Sequence, residues 1–168
     1  VIKNFKKHVG KQVYKIALDG DYYLINELAL PLTMSGEERI HIDHLLFGEK
    51  YLYIINDRAY RGAIEGKEND PSWVMHIKKG TKLIDNPLIM NAQRANKLSI
   101  IAAINRKYII SIVVVNDDSL LKDVETNSTS NYVVNFSKFR KLIKALEARD
   151  VPNIKDSQLQ LAVKDIAR

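Results

Sequence analysis

The chain has 168 residues, of which 46% are hydrophobic and 27% charged, a composition typical of a globular domain with a substantial core. It contains no cysteine, which excludes disulfide bonds, thiolate zinc sites and cysteine nucleophiles. The formal net charge of +6 is compatible with a nucleic acid or an anionic membrane surface as a partner. The basic residues are spread along the chain, which is more typical of a solvated surface than of a continuous basic track.

The first third of the chain predicts a helix followed by three strands. Phe5, Val9, Val13 and Ile16 recur at helical spacing with lysines between them, so an amphipathic helix is expected there. Hydrophobic runs bounded by turn residues predict the strands. The predicted elements are a helix over 5–18, a strand over 22–30 that Pro31 ends, and a hairpin whose strands cover 39–47 and 51–58.

The rest of the chain predicts further strands and helices. Asn86-Pro87 opens a long helix, and the nearly unbroken β-branched run after it is typical of a strand covered on both faces. Ser137 is expected to cap a later helix. The predicted elements are a strand over 72–77, a helix from Asn86 to near Asn105, strands over 108–115 and 132–136, a helix over 138–149, and a short last helix from Asp156.

This order of elements predicts one α/β domain with a mixed central sheet flanked by helices. We expect the domain to cover 1–150, with 151–168 as a helical C-terminal extension packed on it. No apolar run approaches the roughly 20 residues that a transmembrane helix needs, and no secretory signal is visible, so we expect a cytoplasmic location. The chain begins with Val1, and a membrane anchor upstream in a longer protein stays open.

Two polar motifs lie towards the ends of the predicted hairpin strands. The first is Ile42-Asp43-His44, and the second is Ile55-Asn56-Asp57-Arg58 followed by Tyr60-x-Gly62. With Gly10-Lys11 before them and Asn86-Pro87 after them, their order and spacing resemble the nuclease-related domain (NERD) family, a branch of the PD-(D/E)XK nuclease superfamily. The resemblance spans about residues 5–105 and implies a restriction-endonuclease-like core.

The resemblance also implies a candidate active site. Members of this type use a carboxylate on the first helix, an aspartate at the end of one strand and Glu-x-Lys on the next, which hold Mg²⁺ beside a phosphodiester. Asp43 matches the aspartate, while Asn56 and Arg58 take the positions of the glutamate and the lysine. Lys11 takes the position of the helical carboxylate, and Gln93 resembles a glutamine of the later helix.

The replaced residues predict that the metal site has been lost. Asn56 supplies no negative charge, and Lys11 brings a positive charge towards the position of the cation. Two unit charges about 4 Å apart repel by roughly 4 kcal/mol at an effective dielectric constant near 20. Asp43 alone is a poor Mg²⁺ site, and we expect it to form a salt bridge with Lys11 or Arg58.

The histidines and the tryptophan are weaker site candidates. Strand alternation places His44 on the opposite side from His41 and Asp43, so a metal role for the two histidines is not expected. Trp73, the single tryptophan, is expected to pack in the core.

Three functions fit this sequence. The preferred hypothesis is a pseudo-nuclease without a cofactor that binds DNA or RNA through the former substrate cleft, with these contact residues: Lys11, Arg58, Arg61 and Gln93. The second is a divergent Mg²⁺-dependent nuclease in which Asp43 binds the metal with help from Glu27 or Asp57. The third is a protein-interaction module that has another protein as its partner and no contact with nucleic acid.

Overall fold

The computed structural model describes residues 2–31, 39–119, 121–126, 128–154 and 166. These residues form three α-helices: α1 (Phe5–Gly20), α2 (Pro87–Ala102) and α3 (Phe136–Glu147). They also form nine strands: β1 (Tyr23–Pro31), β2 (Arg39–Phe47), β3 (Leu52–Arg58), β4 (Ile64–Lys67), β5 (Ser72–Ile77), β6 (Gly80–Asp85), β7 (Ile109–Val115), β8 (Leu121–Glu125) and β9 (Asn131–Asn135).

The central sheet has five strands in the order β1-β2-β3-β7-β9. The first three pair antiparallel, whereas β3, β7 and β9 pair parallel. Helices α1 and α3 pack on one face of the sheet over one shared hydrophobic cluster, and α2 packs on the other face over a second cluster. The predicted α/β class, with a mixed central sheet flanked by helices, is therefore confirmed, and the arrangement is consistent with a restriction-endonuclease-like core.

Strand β7 lies inside this core. All of its residues are buried, as its β-branched run predicted. Opposite it, α1 buries Phe5, Val9, Val13 and Ile16, the stripe that its helical spacing predicted. Full burial of one such apolar side chain contributes roughly 1.5–3 kcal/mol, so this packing fixes the rotation of α1 about its axis.

A second sheet, which the sequence did not predict as a unit, has the strand order β6-β5-β4-β8. Strand β4 has only four residues, and β6 is exposed along most of its length. Neither therefore shows the apolar run or the alternation that indicates a strand. Trp73 of β5 is fully buried with Leu88 of α2, and its Nε1 donates to the carbonyl oxygen of Lys67 at 2.8 Å, in keeping with the expected packing role.

The segment Tyr60-x-Gly62 carries the chain from the first sheet to the second. The side chain of Asn116 bonds to both the N–H and the carbonyl oxygen of Tyr60, at 2.8 and 3.0 Å. The Ser119 hydroxyl donates to the carbonyl oxygen of Gly62 at 2.6 Å. A side chain at position 62 would overlap the backbone carbonyl oxygen of His76, so the close approach of β5 requires glycine there.

The start of α3 differs from its prediction. The helix begins at Phe136, with Asn135 at the N-cap position and Ser137 in the first turn. The N–H of Ser137 donates to Asp117 Oδ1 at 3.0 Å. A free N–H group at this end of the helix is therefore bonded by a residue of the preceding loop, and Ser137 is not the capping residue.

The C-terminal segment 151–168 is described only in part. Ile154 and Ile166 are buried, and the N–H of Ile154 donates to the carbonyl oxygen of Glu49 at 2.9 Å. The helix predicted from Asp156 lies outside the described residues. Within the described part of the chain, no helix is both long enough and apolar enough to cross a membrane.

Candidate functional site

A polar cavity of about 260 Å³ lies at the carboxyl end of β3, beside the first turn of α1. Its walls come from β2, β3, β7, α1 and α2. We call it the acid–arginine pocket. Its lining residues are Lys6, His41, Asp43, Asn56, Asp57, Arg58, Pro87, Met90, Arg94 and Val113.

The pocket forms where β2 and β3 stop pairing with each other. Their register runs from Phe47 and Leu52 to His44 and Ile55, and β3 then continues beside β7 alone. Beyond that point, Asn56 bridges the two strands through its amide group. Its Oδ1 accepts from the N–H of Asp43, and its Nδ2 donates to the carbonyl oxygen of His41, both at 3.3 Å.

Asp43 is the buried carboxylate of the pocket, with only 6% of its surface exposed. Its Oδ2 accepts from the backbone N–H of Asp57 at 3.0 Å, and its Oδ1 from Lys6 Nζ at 3.1 Å. Burial alone would raise the pKa of Asp43, but these two donors outweigh it and hold the pKa below its usual value. Asp43 is therefore ionised at neutral pH and oriented from two sides.

Asp57 is a second carboxyl group in the same pocket. Burial, together with the nearby negative charge of Asp43, raises its pKa to about 6. Its Oδ2 is buried and has no hydrogen-bond partner within the described part of the chain. The two carboxyl groups are in contact and differ in pKa. Binding of a cation or a proton between them is favoured, because either one relieves the repulsion between their negative charges.

A third carboxylate, Glu27 of β1, contacts two residues that line the pocket. Glu27 Oε2 lies 2.8 Å from His41 Nε2, and Glu27 Oε1 lies 3.4 Å from Lys6 Nζ. His41 Nε2 lies 3.4 Å from Asp43 Oδ1. Lys6 and His41 thus lie between Glu27 and Asp43, and the ammonium group of Lys6 contacts both carboxylates.

Two guanidinium groups form the opposite wall. Arg94 of α2 is half-buried, and its Nη1 donates to Asn91 Oδ1 at 3.2 Å. Burial lowers the pKa of Arg94, and the positive charge of Arg58 lowers it further, against the opposing effect of Asp43. Of the carboxylates that the structure describes, none lies within ion-pair distance of Arg58 or Arg94. This wall therefore carries positive charge that an anion would neutralise.

Comparison with known families identifies the scaffold. The nuclease-related domain model matches residues 4–116, more than half of the chain and a range that contains the whole pocket. The chain belongs to the NERD family. No curated protein and no solved structure matches it. The family is a branch of the PD-(D/E)XK nuclease superfamily, in agreement with the resemblance seen in the sequence.

The Mg²⁺ ion that the NERD family implies does not fit the residues at the family's positions. Asn56 holds the two strands together through both ends of its amide group and supplies no charge. The ammonium group of Lys6 already contacts Asp43 Oδ1. Mg²⁺ requires near-octahedral oxygen ligands, usually including carboxylates, and the family positions supply one carboxylate, that of Asp43.

The structure brings together part of the site predicted for a NERD domain. Asp43, Asn56 and Arg58 line the pocket. Lys11 does not, because it lies on the face of α1 opposite the buried stripe and is exposed. Lys6, and neither Lys11 nor Arg58, forms the salt bridge with Asp43.

The two remaining predicted contact residues of this NERD domain, Gln93 and Arg61, are exposed and do not line the pocket. On α2 the pocket is lined by Pro87, Met90 and Arg94, and Gln93 points to another side of the helix.

Sequence reasoning missed Lys6 and Arg94 as members of the site and considered His41 without expecting a role for it. For Arg94 a signal existed, because it follows Pro87 by seven residues and Met90 by four, the spacing of one helix face. For Lys6 no local signal existed, since several lysines of α1 have the same pattern around them. Strand alternation places His41 on the same side as Asp43, and Glu27 was considered as a second metal ligand, but nothing in the sequence sets Glu27 beside His41.

Proposed function

We propose that this NERD domain binds a nucleic acid by a backbone phosphate in the acid–arginine pocket and does not cut it. The observation that carries the proposal is the wall formed by Arg58 and Arg94, two guanidinium groups without a carboxylate partner among the described residues. A guanidinium group matches a phosphate in charge and in the geometry of its paired donors.

The burial of Arg94 supports a phosphate as the missing partner. A half-buried guanidinium group loses hydration, and its pKa is lowered for that reason. Asn91 is fully buried and holds Arg94 Nη1, which fixes the direction of the charge towards the cavity. The cavity, about 260 Å³, offers room for a phosphodiester group with several waters, at roughly 30 Å³ for each water.

The expected absence of cleavage follows from the residues that occupy the family's catalytic positions in this chain. Asn56 bridges β2 and β3 instead of binding a metal, and Arg58 replaces the compact ammonium group of a lysine. Lys6 neutralises Asp43, so phosphate binding needs no metal ion. Contacts to backbone phosphate carry no sequence information, and binding is therefore expected to be insensitive to base sequence.

The test is fluorescence anisotropy with labelled single- and double-stranded DNA and RNA of mixed sequence, over a series of salt concentrations. Each phosphate contact adds about one unit to the slope of log affinity against log salt. Arg58→Ala and Arg94→Ala should each lower the slope by about one unit. Lys11→Ala is the matched control, because it removes an exposed cation outside the pocket and should change the slope less.

Two results of the binding experiment would overturn the proposal. The first is no binding at about 50 mM salt, where phosphate contacts are strongest, which would favour a protein partner instead. The second is binding that Arg58→Ala and Arg94→Ala leave unchanged, which would place the nucleic acid elsewhere on the domain.

A divergent nuclease is the second candidate function, and one observation favours it. Asp57 lies next to Asp43 in the pocket, and its raised pKa and unpartnered Oδ2 are what a missing cation would leave behind. Incubation of labelled DNA and RNA with the domain in Mg²⁺ or Mn²⁺ tests it. Cleavage that Asp57→Asn and Asp43→Asn abolish would establish this function in place of the first.

A further inference from the structure

Three side chains at the β1–β2 edge of the pocket form a cluster with the donor atoms of a metal site. Glu27, His41 and Asp43 each offer one ligand atom, and the three atoms lie within 4.8 Å of one another. Only Asp43 among them occupies a position that the family uses for Mg²⁺. The cluster is therefore a different site from the one that the NERD scaffold implies.

The spacing of the donor atoms fits coordination of one ion. Ligand bonds of about 2.1 Å at right angles place neighbouring donor atoms about 3.0 Å apart, and tetrahedral angles place them about 3.4 Å apart. His41 Nε2 lies 2.8 Å from Glu27 Oε2 and 3.4 Å from Asp43 Oδ1. Both separations match the edges of such a coordination shell.

The backbone directs Glu27 into the cluster. Its neighbours Asn26 and Leu28 pair with His44 and Ile42, and Glu27 lies between these pairs with a φ of 55°. The pairs on either side keep one register, so Glu27 lies directly opposite Asp43, and directly opposed residues of an antiparallel pair lie on the same face of the sheet. Strand pairing therefore brings Glu27 beside Asp43.

The Asp43 ligand is oriented by an outer partner. The N–H of Asp57 holds Asp43 Oδ2 at 3.0 Å and leaves Oδ1 facing Glu27 and His41. Outer hydrogen bonds of this kind fix the direction of metal ligands. The oxygen that the backbone does not hold is thus the one already inside the cluster.

A cation already occupies part of the cluster. Lys6 Nζ lies 3.1 Å from Asp43 Oδ1 and 3.4 Å from Glu27 Oε1. The Lys6 side chain is 57% exposed, so it can turn into solvent at little cost when an ion replaces it. Lys6 therefore competes with a metal ion and does not complete its site.

We infer that Glu27, His41 and Asp43 bind a first-row transition-metal dication, which displaces the ammonium group of Lys6. One imidazole nitrogen with two carboxylates favours Zn²⁺, Co²⁺ or Mn²⁺ over Mg²⁺, which prefers oxygen ligands only. The site does not depend on nucleic-acid binding, so it stands or falls separately from the proposed function.

The experiment is titration of the chelator-treated full chain with Co²⁺, followed by visible absorption, and with Zn²⁺, followed by calorimetry. One ion should bind per chain. His41→Ala and Glu27→Gln should weaken binding by at least about tenfold, since loss of an outer partner alone costs 10–100-fold. Lys6→Met should tighten binding, because it removes the competing charge and keeps the length of the side chain.

His76→Ala is the matched control. His76 Nε2 lies 2.6 Å from Glu65 Oε1, a histidine–carboxylate pair that is not part of a three-ligand group within the described residues. Its loss should leave the affinity unchanged. The inference is overturned by absence of Co²⁺ and Zn²⁺ binding, by binding that His41→Ala leaves intact, by weaker binding in Lys6→Met, or by Mg²⁺ competing at equal concentration.

Discussion

At the scale of single residues, Asp57 combines an acidic side chain with surroundings that disfavour its charge. It is partly buried beside the ionised Asp43, and its pKa is raised to about 6. The fold thus prefers the protonated form, so the free energy of unfolding falls as the pH rises from about 4 through 6. Perturbed carboxyl groups of this kind cluster at functional sites, and the divergent nuclease considered above would use the charge of Asp57 to bind its cation.

Asp57→Asn should therefore stabilise the domain at pH 7. A pKa raised from 3.8 to about 6 corresponds to about 3 kcal/mol, and solvent screening of a partly exposed group reduces this to roughly 1–2 kcal/mol. At pH 4 the gain should vanish, because Asp57 is then protonated in the fold. Urea denaturation at the two pH values measures the gain, with the exposed Asp118→Asn as control. An equal gain at both pH values would show that the charge of Asp57 is not its cause.

At the scale of elements, two glycines of the domain differ in the space around them. A side chain would be crowded at Gly62 and would fit at Gly10. Gly62 lies where β5 crosses the chain, and a side chain there would overlap the His76 carbonyl oxygen. Gly10 lies inside α1, and a methyl group there would meet only the His44 ring at an ordinary 3.7 Å. The Tyr-x-Gly motif therefore reflects the contact between the two sheets.

The two glycines should respond to alanine in opposite directions. Gly62→Ala forces β5 away from the end of β3 and should destabilise the domain by about 2 kcal/mol or more, as overpacking does. Gly10→Ala should stabilise it by about 0.5–1 kcal/mol, because glycine is unfavourable inside a helix. Thermal and chemical denaturation of both variants provides the measurement, and equal effects would show that the crowding at Gly62 is relieved by a small shift.

At the scale of the whole molecule, one asparagine joins the second sheet to the helix that carries Arg94. Asn86 is buried, caps α2 by accepting from the N–H of Leu88 at 2.9 Å, and donates to the carbonyl oxygens of Glu68 and Asp70 at 2.8 and 2.7 Å. These carbonyl groups belong to the turn between β4 and β5. The position of α2 over the pocket therefore depends on the second sheet.

Asn86→Ala should cost about 2–4 kcal/mol of unfolding free energy. The loss of an N-cap contributes roughly 1 kcal/mol, and buried carbonyl groups left without donors contribute about 1–3 kcal/mol more. Asn105→Ala is the control, since Asn105 is exposed and its side chain accepts from the N–H of Lys107 at 3.0 Å. A loss no greater than that of the control would show that the turn finds other donors.

The sequence by itself determined the parts of this protein that depend on neighbours along the chain. The spacing of Phe5, Val9 and Val13 predicted α1, and the β-branched run predicted the buried strand β7. The short connection between two alternating strands predicted that Asp43 and Asn56 meet. These features are local, because the side-chain period of a strand (two residues) or of a helix (3.6 residues) determines the face on which each side chain lies.

Only the tertiary structure decided which charges share the pocket. Lys6 replaces Lys11 because packing fixes the rotation of α1, and the charge pattern of a lysine-rich helix does not reveal that rotation. Glu27 joins the site because β1 pairs with β2 in a register that sets it opposite Asp43, and Arg94 joins through the position of α2 over the sheet. The second sheet was likewise hidden, since β4 and β8 become strands by pairing across a long separation in sequence and not by their own pattern.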